Sequence, residues 1–174
     1  MNTNYYALSF IDTDSTGFVA KTTKVLFEKG FNIADSSSTL LQGTFSMIFI
    51  VTHEKDYSEN EITEMFGPLS SKMKVFKYKN EPKVLDGDHY SISVYGADKP
   101  GIVHSITSAL ADNNLNIIDL QTKITGKDPK VYIMMLEVLA PANLNEEKWQ
   151  ENIKNIAKGI NTQLNIKKVE FYEL

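Results

Sequence analysis

Two short stretches of the sequence carry residues suited to binding a small charged ligand. One is the loop 98–101, Asp-Lys-Pro-Gly, directly before a helical pattern, and the other is Asn116, at the start of a strand pattern. A glycine at a helix start lets a ligand approach the backbone, and the free N–H groups there suit a carboxylate. An Asp carboxylate and an Asn amide can hold an ammonium group. The set therefore fits a zwitterion such as an amino acid.

The same residues also have purely structural interpretations. Asp98 can cap the helix, and Pro100 is tolerated in a first turn because its missing N–H would be unpaired there. Gly101 can serve packing, and Asn116 tolerates unusual backbone dihedrals in a turn. Taken one residue at a time, these roles are more common than ligand binding. The motif alone leaves both interpretations open.

The motif occurs twice, because the chain is an internal repeat. Residues 14–35 align with residues 98–119 without a gap and share eight identities in 22 positions, where about one is expected by chance. The sequence therefore predicts a first domain at 1–80, a linker at 81–88 with turn formers and mixed charge, and a second domain at 89–174. The first copy adds three candidates for the ligand site: Asp14, Gly17 and Asn32.

Hydrophobic patterns in the second copy predict a strand at 90–95, a helix after Gly101, strands at 117–124 and 131–139, a long helix and a last strand at 166–172. Asn143 or Asn145 is expected to cap the long helix. The buried face of the shorter helix is predicted to comprise Ile102, Val103, Ile106, Ala109 and Leu110. The buried face of the long helix is predicted to comprise Trp149, Ile153, Ile156, Ile160 and Leu164.

The first copy shows the same order of elements. Gly30 is a natural left-handed stop for its first helix, and the two middle strands are expected to turn at 42–43. Residues 58–61, Ser-Glu-Asn-Glu, have capping-box spacing, and Gly67 with Pro68 should end the second helix early. The order βαββαβ, twice, predicts an α+β chain of two ferredoxin-like modules, each a four-stranded antiparallel sheet with two helices on one face.

Composition argues against several functional classes. All 18 basic residues are Lys, and the chain has neither Arg nor Cys. Disulfides, thiolate metal sites and guanidinium clamps are therefore excluded. The net charge of −4 argues against broad nucleic-acid binding. Lysines 72, 74, 77 and 79 form a local positive run, for which a solvated or edge-protecting role is expected and a docking role stays open.

Catalysis is not indicated by the remaining residues, so we expect no catalytic residue, no bound metal and no cofactor. The three histidines are His53 near a strand end, His89 in the linker and His104 on a helix surface, and they lack metal-ligand spacing. A small enzyme on this fold stays open as an alternative, and so does RNA binding. Phe45 and Phe49 share a strand but are interleaved with Met47 and Ile48, which favours core packing of that run.

The chain is expected to be cytoplasmic. No apolar run reaches about 18 residues, so no membrane-spanning helix is predicted. The N-terminus runs into a strand pattern and lacks the features of a signal peptide.

The sequence of residues 98–103, Asp-Lys-Pro-Gly-Ile-Val, followed by 115–119, Leu-Asn-Ile-Ile-Asp, closely resembles the ACT domain. The resemblance covers about 5–78 and 90–173. The first copy departs from the pattern at Ser15-Thr16, where the second copy has Lys99-Pro100. Two such modules with nothing attached are similar to the glycine cleavage system transcriptional repressor family.

The resemblance implies a non-catalytic protein that binds an amino acid and regulates metabolism through a protein partner, such as a transcription regulator. It implies no direct contact with nucleic acid and an assembly of modules, as a homodimer or as a pseudo-dimer within the chain. Ligands in the family lie where a loop of one module faces another module. The implied ligand-binding residues are Asp98, Pro100, Gly101, Ile102, Asn116 and Ile117, then Asp14, Gly17 and Asn32.

Overall fold

The structure is a computed structural model that describes residues 3–79 and 86–169. The chain divides into two compact units, Met1–Lys83 and Val84–Leu174. We call them module 1 and module 2 and describe each by itself.

Module 1 follows the predicted order of elements. The two-residue turn between its middle strands places Gln42 and Gly43 at positive φ, as the hairpin requires. The elements are β1 Asn4–Thr13, α1 Phe18–Glu28, β2 Asn32–Leu41, β3 Thr44–His53, α2 Glu59–Met65, a 3₁₀ helix Gly67–Lys72 and β4 Met73–Lys77.

Module 2 repeats this order with a longer second helix. Its elements are β5 Asp88–Ala97, α3 Ile102–Asp112, β6 Asn116–Thr125, β7 Val131–Ala140, α4 Glu146–Gly159 and β8 Gln163–Lys168. The expected linker residues Asp88 and His89 lie in β5, since strand pairing with β7 begins there. The last strand starts at Gln163, three residues before the predicted start, and the end of the predicted strand lies outside the described residues.

Each module forms one antiparallel four-stranded sheet with the strand orders β2-β3-β1-β4 and β6-β7-β5-β8. The predicted α+β class with two ferredoxin-like modules is confirmed. Alternate residues of the inner strands pack beneath the helices, because side chains of a strand point to opposite faces. In β1 and β5 the fully covered positions are Tyr6, Leu8, Phe10, Tyr90, Ile92 and Val94.

Three predicted members of the helical faces lie elsewhere. Val103 is exposed, because the first turn of α3 buries Ile102 and places its neighbour on the outer flank. Ile160 is the C-cap residue after the end of α4, where it still packs against the core, and Leu164 belongs to β8. The buried face of α4 is formed by Trp149, Ile153 and Ala157.

The helix starts are of two kinds. Ser58 caps α2 in a complete capping box, as predicted, and the Asn145 side chain caps α4 by accepting from the N–H of Lys148 at 2.9 Å. In contrast, α1 and α3 begin at Gly17 and Gly101, which adopt left-handed φ of 86° and 93° and have no side-chain cap. The first helix of each module therefore begins without a side-chain cap, and the second begins with one.

The predicted cap at Asp98 was wrong. The cap position is occupied by Gly101, and Asp98 lies three positions before it, so Asp98 is not the N-cap residue. Pro100 precedes the cap and lies outside the helix, so it does not occupy the first turn. A left-handed residue at this point turns the chain sharply into the helix, which a glycine does without steric cost.

Candidate functional site

The two predicted loop sites have closely similar geometry. Gly17 and Gly101 are exposed, and a Cβ added to either glycine would meet no atom within 4 Å. The backbone N–H groups of Lys21 and Ser105 donate to the glycine carbonyl oxygens at 2.9 Å, and in module 1 the N–H of Phe18 donates to the Ser15 carbonyl oxygen at 3.3 Å. The remaining first-turn N–H groups have no intrahelical acceptor. These ends of the modules therefore present free donors and the positive end of the helix dipole to solvent.

The asparagines of the motif lie at the other end of each module. Asn32 opens β2 and Asn116 opens β6, after α1 and α3 have run the length of the sheet. An eleven-residue helix spans about 16 Å. One amino acid therefore cannot contact both the glycine loop and the asparagine of the same module. The structure does not bring the two halves of the predicted site together within a module.

The two isoleucines of the implied set are structural within module 2. Ile102 is buried in the core beside Ile106 and Leu110. Ile117 is half-buried and packs against the same core. The Ile102 side chain is thus unavailable to a ligand, although its backbone N–H belongs to the free first turn. Asp98, Pro100, Asp14 and both asparagines are exposed.

A polar cluster that the sequence did not predict joins β1, β4 and the segment just before α2 in module 1. The Tyr6 hydroxyl accepts from the backbone N–H of Tyr57 at 2.8 Å and also contacts Asp56, whose carboxylate binds the ammonium of Lys77. Burial raises the pKa of Tyr6 above its ordinary value. The hydrogen bond from Lys77 lowers the pKa of Asp56, and the same bond raises the pKa of Lys77.

Module 2 has a corresponding cluster around Tyr90. Lys168 pairs with Asp88 at 3.0 Å, a hydrogen bond that raises the pKa of Lys168. Burial raises the pKa of Tyr90, and a hydrogen bond to Glu146 raises it further. The repeat offered a sequence signal for both clusters, because Tyr6 and Tyr90 occupy equivalent positions 84 residues apart. The clusters were not predicted because the acidic residues that complete them come from positions that do not align between the two copies.

An open groove lies on module 1 between α1 and the start of β2. It has a volume of about 600 Å³, and the ring of Phe27 at its side is 83% exposed. Lys24 beside it pairs with Glu28 at 3.7 Å. The groove is lined by Ala20, Thr23, Lys24, Leu26, Phe27, Phe31, Asn32 and Ile33.

The histidines lie in separate places. His53 ends β3, where its ring packs against Phe31 and Tyr57 and its Nδ1 accepts from the N–H of Lys55 at 2.8 Å. His104 is exposed on α3, as expected. Among residues 3–79 and 86–169, no group of three or more His, Asp or Glu side chains could hold a metal ion.

The aromatic run of β3 serves the core. Phe49 and Met47 are buried, and Phe45 packs against Phe18 with ring centroids 5.7 Å apart, so the core-packing interpretation is confirmed for these residues. Ile48 is the exception and faces the opposite side of the sheet. Phe49 is buried, so its ring offers no exposed face on which an RNA base could stack. No helix in the described part of the chain is long and apolar enough to cross a membrane.

Comparison with known proteins gives one family match, within module 2. Residues 90–147 match the ACT domain family. A UPF0237 protein of Methanopyrus kandleri is 28% identical over 81 residues, which cover 47% of this chain and 88% of that protein.

Two solved structures share the fold of nearly the whole chain. A crystal structure of an unknown protein from Galdieria sulphuraria superposes with a TM-score of 0.83 at 20% identity, over 97% of this chain and all of the other. A second, whose title describes a candidate glycine cleavage system transcriptional repressor, superposes with a TM-score of 0.74 at 15% identity, over 98% and 100% of the two chains. At these identities the likeness establishes the fold. The ACT domain match thus lies within module 2, and module 1 repeats the fold of module 2.

Proposed function

We propose that this chain is a non-catalytic regulatory protein of the cytoplasm that binds an amino acid through its ACT modules. One observation carries the proposal: α1 and α3 begin at left-handed, uncapped glycines, whereas α2 and α4 are capped by side chains. The free first-turn N–H groups suit a carboxylate. Because the chain has no Arg, these amides are the natural anchor for it.

The ammonium group of the ligand needs a different partner. In our proposal Asp98 and Asp14, which precede the two glycines in exposed loops, attract it. Asn116 and Asn32 lie too far along their own modules to join the same ligand. They would contribute from a second copy of the chain in a homo-oligomer.

The proposal for the regulated process rests on one fold neighbour. The fold neighbour whose title names a candidate glycine cleavage system repressor suggests control of glycine metabolism. We propose that the chain acts there through a protein partner, such as a transcription regulator, without contacting nucleic acid itself.

Isothermal titration calorimetry with a panel of amino acids, glycine first, tests the binding proposal. Gly101→Asn is the informative variant, since Asn tolerates left-handed φ and its side chain would obstruct the free amides. We expect it to weaken binding at least tenfold, a loss of about 1.4 kcal/mol. Asn143→Ala, an exposed asparagine outside the motif, is the matched control. Failure of every amino acid to bind, or equal binding by Gly101→Asn and the control, contradicts the proposal.

A further inference from the structure

Each sheet has one face beneath its helices and one face that the helices do not cover. On the uncovered face of module 1, cross-strand pairing aligns four residues in one row, one from each strand. The row consists of Asp35, Ile50, Ala7 and Phe76. In module 2, the corresponding row consists of Asp119, Glu137, Ser91 and Lys167.

The two rows differ in chemistry although they occupy the same place in the fold. In module 2, Glu137 and Lys167 flank Ser91, which makes that row a charged, solvated surface. In module 1, the same two positions hold Ile50 and Phe76, and the Phe76 side chain is 60% exposed. The fold therefore tolerates a charged row at this place, and module 1 has an apolar row instead.

Further exposed apolar side chains lie near Ile50 and Phe76 on the same face of the sheet. Ile48, in the next row, is 46% exposed, and Ile11, on β1, is 59% exposed. Contiguous exposed apolar surface of this kind is uncommon on monomeric proteins and marks interaction sites. We call Ile11, Ile48, Ile50 and Phe76 the apolar patch, in which Ile50 is half-buried and the other three are exposed.

The charges on this face have a self-complementary arrangement. Among the described strand positions of the face, the charged side chains are Asp35 on edge strand β2 and Lys74 on edge strand β4. A two-fold axis parallel to the strands, lying between two copies of the face, places β4 of one copy over β2 of the other. Lys74 of each copy then lies within one row of Asp35 of its partner. One symmetric contact thus forms the pair twice.

The size of the face suits such a contact. Three strands of ten residues and β4 of five residues, about 4.8 Å apart and at about 3.3 Å per residue, give a flat face of roughly 550 Å². This is about two thirds of the roughly 800 Å² per partner of a standard interface. Two sheets packed in this way interdigitate their inner side chains about 10 Å apart. We propose that the chain forms a homodimer by packing the uncovered sheet faces of module 1 against each other.

The test places like charges on the apolar patch. The double variant Ile48→Glu with Ile50→Glu puts two carboxylates on the central strand β3 of each copy, and the fold already accommodates a glutamate, Glu137, on the equivalent strand of module 2. Multi-angle light scattering and sedimentation velocity give the mass over a range of concentrations. We expect the wild-type chain at twice its 19.6 kDa mass. We expect the variant to dimerise more than about 100-fold more weakly, because apolar anchors at an interface centre dominate its affinity.

The matched control removes exposed apolar groups from another surface. Phe27 on α1 and Leu40 on the helix-facing side of β2 are exposed and lie off the uncovered face. Phe27→Lys with Leu40→Glu should leave the dimer unchanged. Circular dichroism checks that each variant is folded.

Charge reversal gives a second test that does not depend on the double variant folding. Asp35→Lys or Lys74→Glu alone should weaken the dimer by roughly tenfold, and the two together should restore it. A wild-type chain that stays monomeric at 100 µM, a dimer that survives the Ile48→Glu with Ile50→Glu change, or a dimer lost only in the Phe27 and Leu40 control overturns the proposal. Failure of the reversed pair to restore a dimer weakened by the single changes overturns the proposed pairing.

Discussion

The hydroxyl oxygen of Tyr6 accepts a hydrogen bond from the backbone N–H of Tyr57 at 2.8 Å, across a separation of 51 residues. The contact ties β1 to the chain just before α2, and the Tyr6 ring lies in the core of module 1. The side chain thus serves as both a packing group and the acceptor for a backbone donor that the sheet does not satisfy.

Replacing Tyr6 with Phe should destabilise module 1 by about 1–2 kcal/mol, because the Tyr57 N–H would lose its partner while the core volume stays nearly constant. Urea unfolding followed by circular dichroism measures the change. Tyr95→Phe, on an exposed side chain of β5, is the control and should change stability by less than about 0.5 kcal/mol. Equal stability of the two variants would contradict the role given to the hydroxyl.

The capping box at α2 makes a separate prediction. Ser58 accepts from the N–H of Glu61 at 3.2 Å, and the Glu61 carboxylate accepts from the N–H of Ser58 at 2.8 Å. Ser58→Ala should cost about 1 kcal/mol in thermal or urea unfolding. Ser71→Ala, an exposed serine of the 3₁₀ helix, should be close to neutral. A loss at Ser71 as large as that at Ser58 would show that the cap is not the cause.

The ion pair of Asp56 and Lys77 predicts a pH dependence. The hydrogen bond from Lys77 lowers the pKa of Asp56 below its ordinary 3.8, so the carboxylate is favoured in the folded state. Its contribution is present above pH 3.8 and is lost as the pH falls through the lower folded pKa. Asp56→Asn should therefore flatten the acid limb of the stability profile below pH 4.

Thermal melting at pH 7, 4, 3 and 2.5 measures this limb. The same bond raises the pKa of Lys77, so the wild-type pair also loses its contribution when the pH rises through that raised pKa. Glu151→Gln, on the exposed side of α4, is the control for removing one negative charge. If the stability of Asp56→Asn falls with decreasing pH as steeply as that of Glu151→Gln, the ion pair is not the cause of the acid limb.

Replacement of glycine by alanine is expected to have opposite effects at Gly101, which has a left-handed φ, and at Gly159, which does not. Gly101→Ala should destabilise the chain by about 1–2 kcal/mol, because its φ of 93° is unfavourable for any residue with a Cβ. Gly159→Ala, at the end of α4 with open space around it, should be neutral or stabilising by up to about 1 kcal/mol. Urea midpoints of the two variants compare them. Equal effects would indicate that the cap conformation is not needed.

The order of elements could be predicted because the internal repeat gives the length of one module, and hydrophobic periodicity distinguishes its helices from its strands. Caps made by a side chain near in sequence were also predictable, as at Ser58 and Asn145. The cap at Gly101 was not, because a glycine cap is a backbone conformation and leaves no side-chain signal. Asp98 has the residue type of a cap, and the pattern could not show that the loop places it three residues too early.

The geometry of the candidate site could not be predicted from the sequence. Sequence proximity suggested that the glycine and asparagine of one copy act together. The structure places a full helix between Gly101 and Asn116, because α3 runs from one end of the sheet to the other. The Tyr6 and Tyr90 clusters escaped prediction because their partners Asp56 and Glu146 come from regions where the two copies differ in length.

The contrast between uncapped and capped helices has a consequence for local opening. A helix start without a side-chain cap frays easily, so the first-turn amides of α1 and α3 should exchange with deuterium faster than those of α2 and α4. An anion seated on those amides would slow their exchange and leave the rest of the module unchanged. The exchange rates of these individual amides would therefore report whether an anion is bound at the helix start.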